Sequence, residues 1–367
     1  MLITKQSLHE RFNERTVLFL KALSTTFPSY FQSEKLPHLP GLEAFTALNI
    51  IDSSSVSLHS TLSKLFKGSG GAASSAALKI QLMFDYLMGQ IKELTLTPGC
   101  DNDQSFDYYF NSIQKGALYL IDLGYFKLDS FKKITDGQAF FVSRLLTGTK
   151  LFTEEKQSFD LLTAISNAAP LFSQQLLMGA QHHIQIRLVA QWLPEELANR
   201  RRQKLLEAHK RRRTTPSKES LTLQSWSIYI TNTTEAQISN QHIHQSYALR
   251  WQVGLVFKLS KSLMQVDSIK SMKSARVIVE TYGKFISMML LFCLCEPARY
   301  QHDTELSWYK ACKLLIIQSA ELSRAFISTY RLKLFIKSFF ETLILFAGKD
   351  IKKKHTFETA LSTRESF

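Results

Sequence analysis

Asp52 and Asp122 are the side chains of this 367-residue chain best placed to do chemistry. Each closes an apolar, β-prone run, Phe45-Thr46-Ala47-Leu48-Asn49-Ile50-Ile51 before Asp52 and Ala117-Leu118-Tyr119-Leu120-Ile121 before Asp122, so each is expected at a strand end. Two such carboxylates, followed much later by a helix with charge on one face, are what two-metal phosphoryl transfer needs. Two hard cations about 3.5–4 Å apart take oxygen ligands, one activating the attacking oxygen and the other stabilising the leaving one. An Asp that closes a strand is also a common turn former, and composition leaves both readings open. His182-His183 and His242-x-His244 stand without Cys or carboxylate partners at ligand spacing, so no zinc site is expected there. Cys100, Cys293, Cys295 and Cys312 show no CxxC pairing, and three of them lie in apolar helical stretches where a thiol acts as a small hydrophobe.

The elements that would carry these residues follow from hydrophobic period and turn signals. An entry helix runs from Leu8 toward Pro28, followed by a Pro/Leu-rich link at Leu36 to Pro40. A Gly/Ser/Ala segment, Gly68 to Ser75, precedes a strand at Ala77 to Asp85; an amphipathic turn at Leu128 to Ile134 precedes another at Gln138 to Arg144. From about Thr147 to Gln245 the pattern is β-type and polar, and it contains the most basic tract, Arg200 to Arg213, expected as a charged loop facing nucleic acid. From Tyr247 the period is helical: Tyr247 to Lys261, Ala275 to Cys295, Leu306 to Arg324 and Leu332 to Phe346, with a polar tail after Lys349.

Length and charge bound the rest. At 42.0 kDa, one large domain with an insertion, or two domains, is expected. With 45 Lys+Arg against 31 Asp+Glu, a net charge of +14 and 45% hydrophobic residues, the chain reads as globular with a polyanionic partner. The longest unbroken apolar stretch, Phe285 to Cys295, is shorter than the roughly 20 residues that span a bilayer, so no membrane partner is expected. The N-terminal residues carry no secretory pattern, and a cytoplasmic location is expected.

The helix starting at Tyr247 gives the carboxylates a context. Tyr247-Ala248-Leu249-Arg250-Trp251-Gln252-Val253-Gly254 through Lys261 resembles the signature of IS-four family transposases of bacterial insertion sequences: Tyr, two residues, Arg, three residues, Glu, six residues, Lys. Ile51-Asp52-Ser53-Ser54 and Ile121-Asp122-Leu123-Gly124 are similar to the family's two aspartate regions. Trp226 to Asn232 resembles the strand closing its β-rich insertion, with Arg201 and Arg202 in the basic loop of that insertion.

The resemblance implies an α/β fold: an RNase H-like mixed sheet core with a β-rich insertion and C-terminal helices. The implied organisation is an N-terminal remnant at 1–40, first core part at 41–146, insertion at 147–245, core helix and C-terminal helices at 246–348, and tail at 349–367. It implies a DDE transposase that cuts and joins DNA using two Mg²⁺ or Mn²⁺ ions held in part by Asp52 and Asp122. Tyr247, Arg250, Lys261, Trp226, Arg201 and Arg202 would contact DNA, Trp226 by stacking on a flipped base. Implied partners are double-stranded DNA, both transposon ends and target, and a second copy of the chain or a full-length transposase. The implied location is bacterial and nucleoid-associated.

Two departures stand out. Gly254 occupies the place of the third ligand, Glu. A carboxylate three or four residues away would reach the same helix face, and those positions hold Arg250, Trp251, Phe257 and Lys258. The family's pre-catalytic segment begins almost at Met1, which implies a shortened N-terminal region. The chain is therefore expected to be catalytically impaired, or else to act as a non-catalytic DNA-binding protein that inhibits intact transposases.

Overall fold

The computed structural model of the chain describes residues 4–27, 41–70, 74–166, 168–299 and 306–349. The link at Leu36 to Pro40, Gly71 to Ala73 of the small-residue segment, and the tail beyond Lys349 lie outside the described residues.

The expected entry helix is two helices, α1 (Lys5–Glu10) and α2 (Glu14–Thr26). The break falls at Asn13, whose extended backbone lets its side chain accept from the Thr16 amide and cap α2. Three strands follow: β1 (Leu48–Ser57), β2 (Ala77–Asp85) and β3 (Gln90–Pro98). Next come β4 (Leu118–Ile121), α3 (Leu128–Asp136), β5 (Phe140–Arg144) and β6 (Leu151–Phe152). The chain continues through α4 (Leu161–Ser166), β7 (Leu171–Met178), β8 (Ile184–Trp192), α5 (Glu195–Arg211), α6 (Lys218–Leu223) and β9 (Trp226–Thr231). The C-terminal part is helical: α7 (Ile243–Ala248), a 3-10 turn (Leu249–Trp251), α8 (Gln252–Ser262), α9 (Ser274–Arg299), α10 (Trp308–Ile317), α11 (Ser319–Ala325) and α12 (Thr329–Phe346).

Two compact units divide these elements. The first comprises Met1–His38, Asn49–Asn102 and Trp251–Phe367, and the second Leu39–Leu48 and Asp103–Arg250. In the first unit β1, β2 and β3 form an antiparallel meander, with Asp52 opposite Leu82 and Leu82 opposite Leu94. β2 is buried along almost its whole length, as an apolar run flanked on both sides requires. α9 is the core helix of this unit. It packs on α2, α12 and β3, and Phe292 meets Phe84 and Trp308 edge-on at 6.0 and 4.6 Å.

α9 is longer than the count of unbroken apolar residues indicates. Counting unbroken apolar residues stops at Lys284, yet the Ser274–Cys295 stretch, 22 residues at mean hydropathy 1.7, is long and apolar enough to cross a bilayer. Just over half of it, 56%, is buried within the protein, the condition of a core helix.

The second unit is a six-stranded mixed sheet in the order β4-β5-β9-β8-β7-β6. β4 and β5 are parallel, joined by α3, and the remaining pairs are antiparallel. The Leu128 to Ile134 segment, expected as a turn, is the helix α3. It lays Phe131 onto Phe126 and Phe141 with ring centroids 4.9 and 4.6 Å apart, a packing gain that a solvated turn lacks. The architecture is the mixed α/β fold expected, with β6–β9 between Asp122 and Tyr247 and helices after them.

Candidate active site

Asp122 is the residue directly after β4, and its carbonyl accepts from the Tyr125 amide at 2.9 Å to close a 3-10 turn. The sheet thereby delivers a carboxylate that leaves the strand end with its side chain 37% exposed. Two groups from the C-terminal side of the same unit meet it. The Tyr247 hydroxyl donates to Asp122 Oδ1 at 3.2 Å, and Arg250 Nε lies 3.5 Å from the same oxygen, within ion-pair range. The Arg250 guanidinium also sits 5.7 Å from the centre of the Tyr247 ring, so three of the residues expected in the site form one contact group. Burial, and next to it the negative charge of Asp122, push the Tyr247 phenol well above the usual tyrosine range. It therefore acts as a hydrogen-bond donor throughout the working pH range.

Sequence reasoning missed Arg144. Ile121 pairs with Ser143 in the parallel β4–β5 ladder, so the next residues, Asp122 just past β4 and Arg144 as the last residue of β5, come side by side. The Arg144 charge reaches Tyr247, Tyr229 and Arg201. A carboxylate just after one strand and an arginine closing the next was the available signal.

A cavity of about 380 Å³ opens beside this group, lined among others by Arg144, Thr147, Arg201, Ser220 and Trp226. Trp226 begins β9 opposite Trp192 of β8, with the two indoles edge-on at 5.0 Å. Trp226 is only 5% exposed, whereas Trp192 is 45% exposed.

The basic tract is not a loop. It forms α5, with Glu195 and Glu196 in the first turn and His209, Lys210 and Arg211 in the last, charges that complement the helix dipole. Hydrophobic period could not reveal a helix so polar; its end charges and the Glu196–Arg200 spacing could. Arg201 donates to the Trp226 carbonyl at 3.2 Å and to Ser227 Oγ at 3.1 Å. Burial, then the nearby Arg144 charge, lower its pKa. Arg202 donates to Glu195, Asn199 and Ser225. Both arginines tie α5 to the start of β9.

Asp52, Gly254 and Lys261 belong to the first unit. Asp52 is the fifth residue of ten in β1, not the strand end expected. The Ser-rich continuation to Ser57 has weak strand character by itself, and pairing with Ala77–Gln81 of β2 carries it. Asp52 Oδ1 accepts from the Ser53 amide at 2.8 Å. Gly254 is exposed on the first turn of α8, with open space where a Cβ would stand. Lys258 and Lys261 follow on the same face at helical spacing.

Among the described residues no group of three or more His, Cys, Asp or Glu is arranged to hold a metal ion, and position 254 brings no oxygen. His182 instead hydrogen-bonds Asp129 at 2.8 Å, and His244 Nδ1 bonds Tyr229 at 2.5 Å.

Residues 43–290 match the family model described as Transposase DDE domain. The chain belongs to the DDE transposase family. The matched span of this transposase encloses Asp52, Asp122, β6–β9 and the whole of α8. The chain is 28% identical over 345 residues to the transposase for insertion sequence element IS231F of Bacillus thuringiensis subsp. israelensis, covering 86% of this chain and 71% of that one. Identity to the IS1151 transposase of Clostridium perfringens is 30% over 313 residues, covering 78% and 65%. For the IS231C transposase of Bacillus thuringiensis subsp. berliner it is 27% over 388 residues, covering 97% and 79%. Among solved structures, the piggyBac transposase synaptic complex with hairpin DNA aligns with TM-score 0.44 and 11% identity, covering 87% of this chain and 62% of that one. DDE transposases generally use divalent metal ions.

Proposed function

We propose that this transposase binds double-stranded DNA of insertion-sequence ends and target through the Asp122 region and the basic face of the insertion. In the family's form of that site, Asp52 and Asp122 supply two carboxylates for Mg²⁺ or Mn²⁺, and Gly254 leaves the third place empty. The observation that carries the reading is the contact group of Asp122, Tyr247 and Arg250, with Arg144 beside it. The two guanidiniums of this group, Arg250 and Arg144, are suited to meeting a phosphodiester beside the carboxylate, because phosphate contacts dominate DNA affinity.

In this reading Arg250, Arg144 and, on α8, Lys261 contact the sugar–phosphate backbone, and Tyr247 orients Asp122. A flipped base enters the cavity beside Trp226, where aromatic stacking contributes about 1–3 kcal/mol per base. Arg201 and Arg202 serve that cavity by fixing its wall, and the cations beyond them, Lys204 and Lys210 to Arg213, remain exposed for the backbone. The work is done in the bacterial cytoplasm on the nucleoid, by two copies acting on paired ends.

The absent oxygen at position 254 favours a second reading: binding without strand transfer, the chain occupying ends that an intact transposase would otherwise cut. A salt titration with a transposon-end duplex tests both. Phosphate-driven binding weakens with a log–log slope of about −0.9 per neutralised phosphate. Absence of binding at low salt overturns the DNA assignment altogether. Robust cleavage of the duplex by the unaltered chain in Mg²⁺ or Mn²⁺ overturns the impairment and leaves the DNA assignment standing.

A further inference from the structure

Arg187 of β8 is an arginine buried to 4% exposure, with the charge of Glu235 acting on it. All of its donors turn to one segment, the irregular stretch between β9 and α7. Nε donates to the Thr233 carbonyl at 3.2 Å. Nη2 donates to Thr233 Oγ1 at 3.2 Å, to the Thr234 carbonyl at 3.3 Å and to the Ile238 carbonyl at 2.7 Å. Nη1 donates to Asn240 Oδ1, and Asn240 in turn donates to Glu235 at 3.0 Å. Thr233 and Ile238 are themselves buried, so their carbonyls need protein donors in place of water. A planar guanidinium spreads donors across carbonyls that face one another around a bend; an ammonium does not.

We propose that Arg187 is a positioning residue for Tyr247, setting through the 233–240 segment where α7 starts and hence whether the phenol reaches Asp122. This rests on the reading of the Asp122 group as the DNA-binding site. The connection is short. Ser239, one residue before Asn240, accepts through its carbonyl from the Ile243 amide at 3.1 Å, and Tyr247 lies four residues, roughly 6 Å of helix rise, further on. α7 has only six residues, so its start dominates its placement. The Tyr247–Asp122 bond, at 3.2 Å, is already near the long end of the hydrogen-bond range, and a shift of a few tenths of an ångström breaks it. A second hold, the 2.5 Å contact of His244 with Tyr229, ties the first turn of α7 to β9, so the start of the helix is set by His244 together with the segment that Arg187 holds.

The test uses the full chain labelled with 3-fluorotyrosine and read by fluorine NMR, with the Tyr247 signal assigned by Tyr247→Phe. In Arg187→Lys, which keeps the charge and loses the fork, the Tyr247 signal moves or splits while those of Tyr309 and Tyr330 stay in place. Asn240→Ala, which removes one partner and keeps the arginine, produces a smaller displacement in the same direction and serves where Arg187→Lys does not fold. Affinity for an end duplex falls about three- to tenfold in Arg187→Lys, the range expected for one net hydrogen bond. The same substitution changes little further in the Tyr247→Phe background, because the two act through one contact. An unmoved Tyr247 signal in either folded variant overturns the proposal, as does an equal loss of affinity with and without the Tyr247 hydroxyl. If the unaltered chain fails to bind DNA, the functional reading falls alone and the fluorine result still decides the positioning.

Discussion

Replacing Gly254 by Glu should stabilise the protein before any metal is added. Glycine within a helix costs up to roughly 1 kcal/mol relative to alanine, and at the first turn of α8 glutamate recovers about 0.5–1 kcal/mol, its charge also suiting a helix N-terminus. Nothing lies within 4 Å of the Cβ position, so no packing term offsets the gain. For a unit of this size each 1 kcal/mol moves the melting temperature by about 2–4 °C, and an increase of about 1–4 °C follows. Divalent metal then separates two effects. A ligand that binds only the folded state stabilises it by about 2.7 kcal/mol at a hundred times its dissociation constant. Millimolar Mg²⁺ or Mn²⁺ should therefore raise the melting temperature of Gly254→Glu well beyond any rise in the unaltered chain. The assay is a thermal melt of both proteins with metal and with chelator, followed by cleavage of an end duplex. A variant that melts lower than its parent without metal refutes the helix argument. An equal metal response in the two proteins refutes the assignment of position 254 as the third-ligand place.

Two further outcomes follow from side chains outside the reacting group. Burial pushes the Glu93 carboxyl of β3 up to about 7, against a smaller opposing effect of Lys92. Its folded pKa exceeds its unfolded value, so the folded state binds more protons between pH 4.5 and 7, and stability falls as pH rises through that window. Denaturant melts across pH should show this decline, and Glu93→Gln should flatten it and be the more stable protein above pH 7; an unchanged profile refutes the assignment. Arg201→Ala should lower stability by about 1.5–3 kcal/mol, because a charged donor is removed from the Trp226 carbonyl and Ser227. A loss of DNA affinity from Arg201→Ala with no change in the denaturant midpoint would show that the arginine serves DNA directly.

What was legible in the sequence is what local pattern determines. The apolar run before Asp122 ends where β4 ends, and the spacing from Tyr247 to Arg250 predicted a pair that the fold brings to one carboxylate oxygen. Hydrophobic period also gave the helical region from Tyr247 onward, while the mixed α/β class came from the family resemblance. The failures share one cause: each feature is decided by residues far away along the chain. β1 runs past Asp52 because β2 pairs with its serines, and β3, unexpected from sequence, stands because the other edge of β2 needs a partner. Arg144 belongs to the site only because a parallel crossover sets β5 beside β4.

The arginines make the same point about charge. A basic run reads as one surface, yet here its members divide by depth. Arg201 and Arg202 are bound to the backbone and hydroxyls of the Ser225 to Ser227 segment, and Arg187, outside any run, is the most deeply committed guanidinium in the insertion. A guanidinium that satisfies buried carbonyls is not free to meet a phosphate, since withdrawing it would leave those carbonyls unpaired at about 1–3 kcal/mol each. On the proposed function, the insertion cations left for DNA are then the exposed ones, Lys204, Lys210 and Arg211 to Arg213, beside Arg144, Arg250 and Lys261. Neutralising Lys210 to Arg213 should reduce the salt slope of binding by up to roughly 0.9 for each phosphate that is no longer neutralised, with folding intact. Neutralising Arg187 should leave that slope in place and loosen the insertion instead. A salt slope that follows Arg187 rather than the exposed cluster would reverse this division of labour.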